Sequence, residues 1–217
     1  MLINRFRKVG EVLAFVYILM PVTTFAGDLS FSHNNKTFVL DTTNSFCDFS
    51  AEQQATFESS QKTLEASGMA RSLIGQSACK TVSQFPNSNI NLRWQGKVAP
   101  NLNILAIKKS IEDNFLKHTK FSTKVQDLAK NFGSDVQTTT VLETANDQAM
   151  LYTLFDQKLP NSKKTVKLES YISYIYIPVT GDIFILALTN TKSKTTKELR
   201  LLVKLSSSIS NSLKLGG

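Results

Sequence analysis

Two cysteine residues are the clearest candidates for chemistry in this sequence. Cys47 and Cys79 are its only cysteines, and they lack the Cys-x-x-Cys spacing of redox motifs. Neither has a histidine near it in the sequence that would activate the thiol. A small, even number of cysteines is typical of a structural disulfide in an exported chain, whereas in a cytosolic chain both would be ordinary buried thiols. We therefore predict a structural disulfide between Cys47 and Cys79.

Carboxylates are the next candidates, because a pair of them can perform the acid–base chemistry of a glycosidase. Glu112 and Asp113 are adjacent on a predicted helix, so they point in different directions and make poor partners. Glu143, Asp147 and Asp156 flank a predicted hairpin, where an acidic residue is more often a turn or register residue, and a hydrolase would require Glu143 and Asp156 to face each other across one cleft. We assign no catalytic residue, and a carboxylate-dependent hydrolase is the least favoured alternative.

The histidines and glycines form no catalytic or cofactor-binding motif. His33 falls in a predicted loose lead-in and His118 in a basic loop between helices, and these two are the only histidines. The sequence contains no Gly-x-Ser-x-Gly, no phosphate-binding glycine-rich loop, no His-Glu-x-x-His and no carboxylate-rich calcium loop. We expect no cofactor and no metal ion, and we favour a protein without enzymatic activity.

Tyrosines in the second half of the chain are the candidates for a binding surface. Tyr174 and Tyr176 lie on one face of a predicted strand and Tyr171 on the other, because side chains alternate along a strand. Together with Tyr152 from the preceding hairpin, Tyr174 and Tyr176 could form an aromatic surface for a ligand or partner. Ordinary strand packing is the favoured alternative, since tyrosine has a high β propensity.

Residues 1–26 are typical of a secretory signal peptide. A basic start is followed by an apolar run from Val12 to Val22, and Ala26 supplies the small residue that signal peptidase accepts. The apolar run is shorter than the ~20 residues that span a bilayer, which favours cleavage over retention as an anchor. We expect a periplasmic or secreted domain of residues 27–217, with no transmembrane span after signal cleavage.

The chain carries an excess of basic residues, with a formal net charge of +8. These residues are scattered, with short pairs at Lys108-Lys109 and Lys163-Lys164. A nucleic-acid-binding protein would cluster its basic residues and interleave them with aromatic side chains. We therefore predict no nucleic-acid partner and interpret the lysines as solvated faces, with weak attraction to an anionic surface as the alternative.

Helices that would position these residues are predicted from capping residues and apolar spacing. Ser50 with Gln53, and Thr195 with Glu198, form capping boxes, in which each side chain hydrogen-bonds the backbone N–H of the other residue. Apolar residues at intervals of three and four from Ile104 onwards indicate an amphipathic helix. The predicted helices are 50–66, 100–115, 122–132 and 195–213.

Strands dominate the second half of the chain. Apolar or β-branched runs bounded by turn residues predict strands at 36–41, 69–78, 138–142, 150–155, 166–177 and 183–188. The polar residues 27–35 are predicted to be a loose lead-in, and the residues 83–96, rich in Asn, Ser and Pro, a connecting loop in which Trp94 packs over the core. The sum is a single α+β domain, in which helices pack on an antiparallel sheet of hairpins and a C-terminal helix closes the fold.

The order of elements at the C-terminal end resembles a known family. Hairpins ending in the apolar strand 183–189, followed by a polar turn and a terminal helix over 199–213, are similar to the end of the Mog1/PsbP-type α/β/α sandwich. The resemblance covers less than half of the chain, and the half with the two cysteines departs from the pattern. It implies a binding or assembly module rather than a catalyst.

These observations favour an exported protein of a bacterial envelope that acts as a binding or accessory module without catalytic activity. Its partner would be an envelope protein or ligand that the sequence does not identify. The alternative is a secreted effector that acts outside the producing cell, since a small, basic, disulfide-bonded chain would also suit that role.

Overall fold

The computed structural model describes residues 28–43, 45–66, 71–79, 85–117, 134–142, 148–158, 164–193 and 195–216. The predicted signal peptide, residues 1–26, and the predicted helix 122–132 lie outside the described residues. Within these ranges the strands are β1 (Asp28–His33), β2 (Lys36–Asp41), β3 (Phe46–Cys47), β4 (Ser72–Ala78), β5 (Asn89–Lys97), β6 (Ser134–Leu142), β7 (Ala149–Lys158), β8 (Thr165–Ile177), β9 (Asp182–Thr191) and β10 (Lys214–Leu215). The helices are α1 (Ala51–Ala66), α2 (Ile104–Lys117) and α3 (Thr196–Ser212).

Two antiparallel sheets organise the strands. The large sheet has the order β3-β4-β5-β9-β8-β7-β6, and the small sheet has the order β1-β2-β10. The small sheet joins distant parts of the sequence, since Lys214 pairs with Val39 and Leu215 with Phe38. The predicted α+β fold with a closing C-terminal helix is confirmed.

Both predicted capping boxes are present at the starts of their helices. At α1 the backbone N–H of Gln53 donates to Ser50 Oγ (3.3 Å) and that of Ser50 donates to Gln53 Oε1 (2.9 Å). At α3 the same reciprocal pair joins Thr195 and Glu198, both at 3.2 Å. These bonds satisfy backbone donors that have no partner inside the helix, which fixes where each helix begins.

The lead-in predicted at 27–35 is wrong, because most of it is strand β1. Asn34 and Asn35 adopt positive φ angles of 50° and 59°, and they turn the chain so that β1 pairs with β2. Asparagine tolerates this left-handed conformation better than most residues, and two such residues in succession match the twist of a hairpin.

The loop predicted at 83–96 is also wrong in its second half, which is strand β5. This strand lies between β4 and β9 in the large sheet. Ile90 and Leu92 enter the core on one face, and the polar residues that alternate with them, Asn91 and Arg93, are also buried. Burial lowers the pKa of Arg93 to about 10, so the guanidinium remains charged at neutral pH.

One face of the large sheet packs against α3 and the small sheet. Phe38 and Leu40 of β2, together with Leu202 and Ile209 of α3, are fully buried in this core with Phe184 of β9. The C-terminal helix packs on the large sheet, as its apolar spacing predicts, and it also joins the small sheet to the same core.

The opposite face of the large sheet packs against α2. Ile107 and Ile111 of α2 are buried in a second core with side chains of β7, β8 and β9. Helix α1 lies on this same face: Phe57 packs so closely over Gly75 that an added Cβ would be 2.6 Å from its ring. Cross-strand pairing places Gly75 in line with Asn91 and Ala187, and Ala187 belongs to the core under α2. Helices thus cover both faces of the sheet.

Candidate functional site

The predicted disulfide between Cys47 and Cys79 is confirmed. The two Cα atoms are 5.1 Å apart, and the bond ties β3 to the end of β4 across a sequence separation of 32 residues. Cys79 is buried, whereas Cys47 is exposed at the edge of the large sheet. The bond closes a loop that contains α1 and β4, and it lies close to the start of α1.

A groove of about 580 Å³ lies beside the disulfide. It is bounded by the start of α1, by the end of β4 and by the start of β5. The lining of the groove combines hydroxyl, amide and carboxylate side chains with the disulfide and Phe49. The polar lining residues are Asp48, Ser50, Gln53, Ser77, Asn87, Ser88 and Asn89.

Several of these polar groups are held in place by hydrogen bonds. Gln53 Oε1 accepts from the backbone N–H of Ser50 (2.9 Å) and from Ser77 Oγ (3.4 Å). Asp48 Oδ1 accepts from Gln76 Nε2 at 3.3 Å, and Asp48 is the one charged residue among the described lining residues. The groove can therefore hydrogen-bond a polar ligand, and its charge favours a neutral or cationic ligand over an anion.

Tyr174 and Tyr176 were predicted to form part of an aromatic surface. They do lie on one strand face, but both are buried there under α2. The hydroxyl of Tyr176 donates to the carbonyl of Ala99 (3.0 Å) and accepts from the backbone N–H of Leu102 (2.9 Å). Burial raises the pKa of Tyr174, and the nearby charge of Arg93 partly opposes this increase. These two tyrosines pack the sheet against the segment that leads into α2.

Tyr152 lies on the other face of the sheet, so the three tyrosines do not share one surface. Its ring is 5.6 Å from that of Tyr171, which belongs to the core under α3. The reason is the register: Tyr152 pairs directly with Tyr171, and paired residues point to the same face. This corrects the expectation that Tyr152 joins Tyr174 and Tyr176.

A buried carboxylate, that of Glu169, lies beside Tyr152. It accepts hydrogen bonds from the hydroxyls of Ser193 and of Tyr152, the latter at 3.4 Å. Burial and the charge of Glu169 raise the pKa of Tyr152 and also that of Tyr171. Neutral hydroxyls thus satisfy the carboxylate, and the tyrosines remain protonated donors at neutral pH.

The junction of the two sheets holds an aromatic and acidic cluster that the sequence did not reveal. The ring of His33 on β1 is 5.0 Å from that of Trp94 on β5, and Trp94 Nε1 donates to the buried Asp182 Oδ1 at 3.1 Å. Burial lowers the pKa of His33, and the carboxylate of Asp182 offsets part of this decrease. Trp94 therefore packs over the core edge, as predicted, and binds the small sheet to the large one.

Within the residues that the structure describes, the candidate catalytic carboxylates do not form a catalytic pair. Glu112 lies 3.9 Å from Lys108 on the same helix, and Asp156 lies 3.7 Å from Lys167 on the neighbouring strand. Glu143, Asp147 and His118 lie outside the described residues. Asp113 is half-buried on α2.

The ranges that the structure describes contain neither a metal-ligand cluster nor a membrane-spanning helix. Among those ranges no cluster of three or more His, Cys, Asp or Glu side chains could hold a metal ion. No helix within them is both long enough and apolar enough to cross a bilayer.

Similarity to known proteins adds no further assignment to these sites. No protein family matches this chain, and no curated protein matches it in sequence.

Proposed function

We propose that this chain is an exported binding or accessory protein of the bacterial envelope, and that its ligand binds in the groove beside the disulfide. The Cys47–Cys79 bond carries the proposal. Disulfides persist in oxidising compartments such as the periplasm and are rare in the cytosol. The signal-peptide pattern of residues 1–26 supports the same compartment.

The layered architecture supports a binding role of the Mog1/PsbP type. That resemblance implies helices on both faces of a sheet, and the packing of α3 on one face and α2 on the other supports it. An analogy of fold supports the class of function and leaves the ligand to the chemistry of the site.

The chemistry of the groove supports a polar ligand that is neutral or cationic. Ser77 and Asn87 offer hydrogen-bonding groups that donate and accept, which suits hydroxyl or amide groups of a ligand. Asp48 supplies the negative charge. The disulfide holds these groups in place before the ligand arrives, which reduces the entropic cost of binding.

Native mass spectrometry of the protein, extracted gently from its own envelope fraction, tests this proposal. We expect a chain that begins at Gly27, is two hydrogen masses lighter than the reduced chain, and carries an additional bound mass. A chain that retains Met1 would contradict the signal peptide. Recovery from the culture supernatant instead of the periplasm would favour the secreted effector.

A pair of matched variants tests the groove itself. Asn87→Trp places a large side chain at the exposed rim of the groove, and Thr140→Trp makes the same addition at an exposed position of β6. Since β6 is at the opposite edge of the large sheet from β3, this second variant leaves the groove unchanged. We expect the bound mass to be lost in Asn87→Trp and kept in Thr140→Trp. Equal retention in both variants would exclude the groove as the site.

A further inference from the structure

The end of the molecule where β8 turns into β9 carries exposed apolar side chains. Val179, in the turn, is 71 % exposed, and Leu105, in the first turn of α2, is 57 % exposed. These are the two most exposed large hydrophobic residues in the described part of the chain. Pro178 and Pro100 beside them are exposed as well. We call this group of four residues the apolar tip.

Backbone hydrogen bonds hold the two halves of the apolar tip together. The N–H of Asn101 donates to the carbonyl of Pro178 (2.8 Å), and the N–H of Val98 donates to the carbonyl of Gly181 (2.9 Å). Within the turn, the N–H of Gly181 donates to the carbonyl of Ile177 at 2.8 Å. The turn is therefore fixed to the segment that leads into α2, and it presents Val179 to solvent.

Lysines flank the apolar tip. Lys109 is exposed and follows Leu105 by four residues on α2, so both side chains lie on the same side of the helix. Lys97 is exposed at the end of β5, in register with Asp182. The carboxylate of Asp182 is buried and accepts a hydrogen bond from Trp94, so it does not present a negative charge at the tip surface.

We propose that the apolar tip docks this protein on an anionic lipid surface. Val179 and Leu105 enter the boundary between headgroups and acyl chains, while Lys97 and Lys109 contact lipid phosphates. A tip with four exposed apolar residues is too small for a stable protein interface, which needs about 800 Å² on each partner. Apolar side chains flanked by lysines are instead suited to shallow insertion into an anionic bilayer. The proposal does not depend on the groove or its ligand.

Sedimentation of the processed, oxidised protein with lipid vesicles tests the proposal. The probes are vesicles of phosphatidylcholine alone and vesicles that also contain phosphatidylglycerol. The variants are Val179→Asp and Leu105→Asp, and the matched control is Leu201→Asp. Leu201 is 37 % exposed on α3, which packs on the opposite face of the large sheet from α2. A urea-unfolding midpoint for each variant verifies that the fold is retained.

We expect the protein to sediment with the anionic vesicles and to remain in solution with the neutral ones. Each aspartate at the tip should weaken binding by about ten-fold or more, because it replaces inserted apolar surface with a charge that anionic lipid repels. Lys109→Ala should weaken binding about five-fold, and this difference from the unmodified protein should disappear at high salt. Leu201→Asp should bind like the unmodified protein.

Three results would overturn the lipid assignment. They are equal binding to neutral and anionic vesicles, absence of sedimentation with either, and an equal loss in Leu201→Asp. The molecular mass of the protein without vesicles gives one more outcome. If this mass increases with protein concentration, and Val179→Asp removes the increase, the tip binds a second copy of the chain instead of lipid. Asn87→Trp at the groove should leave vesicle binding unchanged, so failure of the groove proposal and failure of this one are distinguishable.

Discussion

Removal of one hydroxyl group, in Tyr176→Phe, should destabilise this protein by about 1–3 kcal/mol. The hydroxyl joins β8 to the segment before α2 through two hydrogen bonds, to the carbonyl of Ala99 and from the N–H of Leu102. Phenylalanine keeps the ring in the core under α2 but leaves both backbone groups without this partner. The change therefore isolates the hydrogen bonds from the packing.

The size of this loss depends on the two hydrogen bonds and on how well water can reach the two backbone groups that lose their partner. Each hydrogen bond contributes a net ~0.5–1.5 kcal/mol, and a fully buried group without a partner costs about 1–3 kcal/mol. Ala99 is exposed and Leu102 is half-buried, so water can hydrate the released groups in part. We therefore expect the two bonds together to account for a loss in the lower half of the range of about 1–3 kcal/mol.

Urea unfolding of the oxidised protein measures the effect, with Tyr152→Phe as the matched control. The Tyr152 hydroxyl makes one longer bond, at 3.4 Å to Glu169, and that carboxylate keeps its bond from Ser193. We expect the control to lose less than about 1 kcal/mol. An equal, small loss in both variants, together with loss of the bound ligand in Tyr176→Phe, would refute the structural role and restore Tyr176 as a binding residue.

Three further changes have expected outcomes. Replacing Cys47 and Cys79 by alanine should lower the free energy of unfolding by about 3–4 kcal/mol in urea titrations, because the unfolded chain regains the entropy of a loop of this length. Gly181→Ala should cost about 2–4 kcal/mol, because Gly181 has a φ of 75° and an added Cβ would overlap a backbone carbonyl oxygen. Gly96→Ala keeps the strain of a φ of 156° but has nothing within 4 Å of an added Cβ, so it should show a smaller loss in the same titration. The pKa of His33 is below that of the unfolded chain, so the unfolded state binds more protons and stability should fall as pH decreases below about 6.5. His33→Gln should remove this part of the pH dependence.

The helices and hairpins were predictable because their signals are local. The capping boxes at Ser50 and Thr195 lie within four residues of sequence, and the apolar face of α2 repeats at helical intervals. The disulfide was predictable because the chain has two cysteines and the pair allows one bond. In each case the physical cause lies within a short stretch or a single pair of residues.

The placement of the tyrosines and of β5 was not predictable, because it depends on contacts between distant elements. The alternation around Tyr174 and Tyr176 shows that they share a face, but the helix that buries them begins at Ile104. Asn91 and Arg93 make β5 resemble a loop in composition, although both are buried in the sheet. The groove combines the start of α1 with strand ends, and nothing in the spacing of these segments brings them together.

The pairing of β10 with β2 has a consequence for the nascent chain. Phe38 and Leu40 emerge early from the ribosome, whereas α3 and β10, which cover them, emerge much later. Such a topology has a high contact order, which slows folding and leaves apolar residues exposed while synthesis continues. A chain that ends before α3 would keep this surface uncovered and would aggregate. Until α3 and β10 have formed, these apolar residues are therefore a surface that a chaperone would bind.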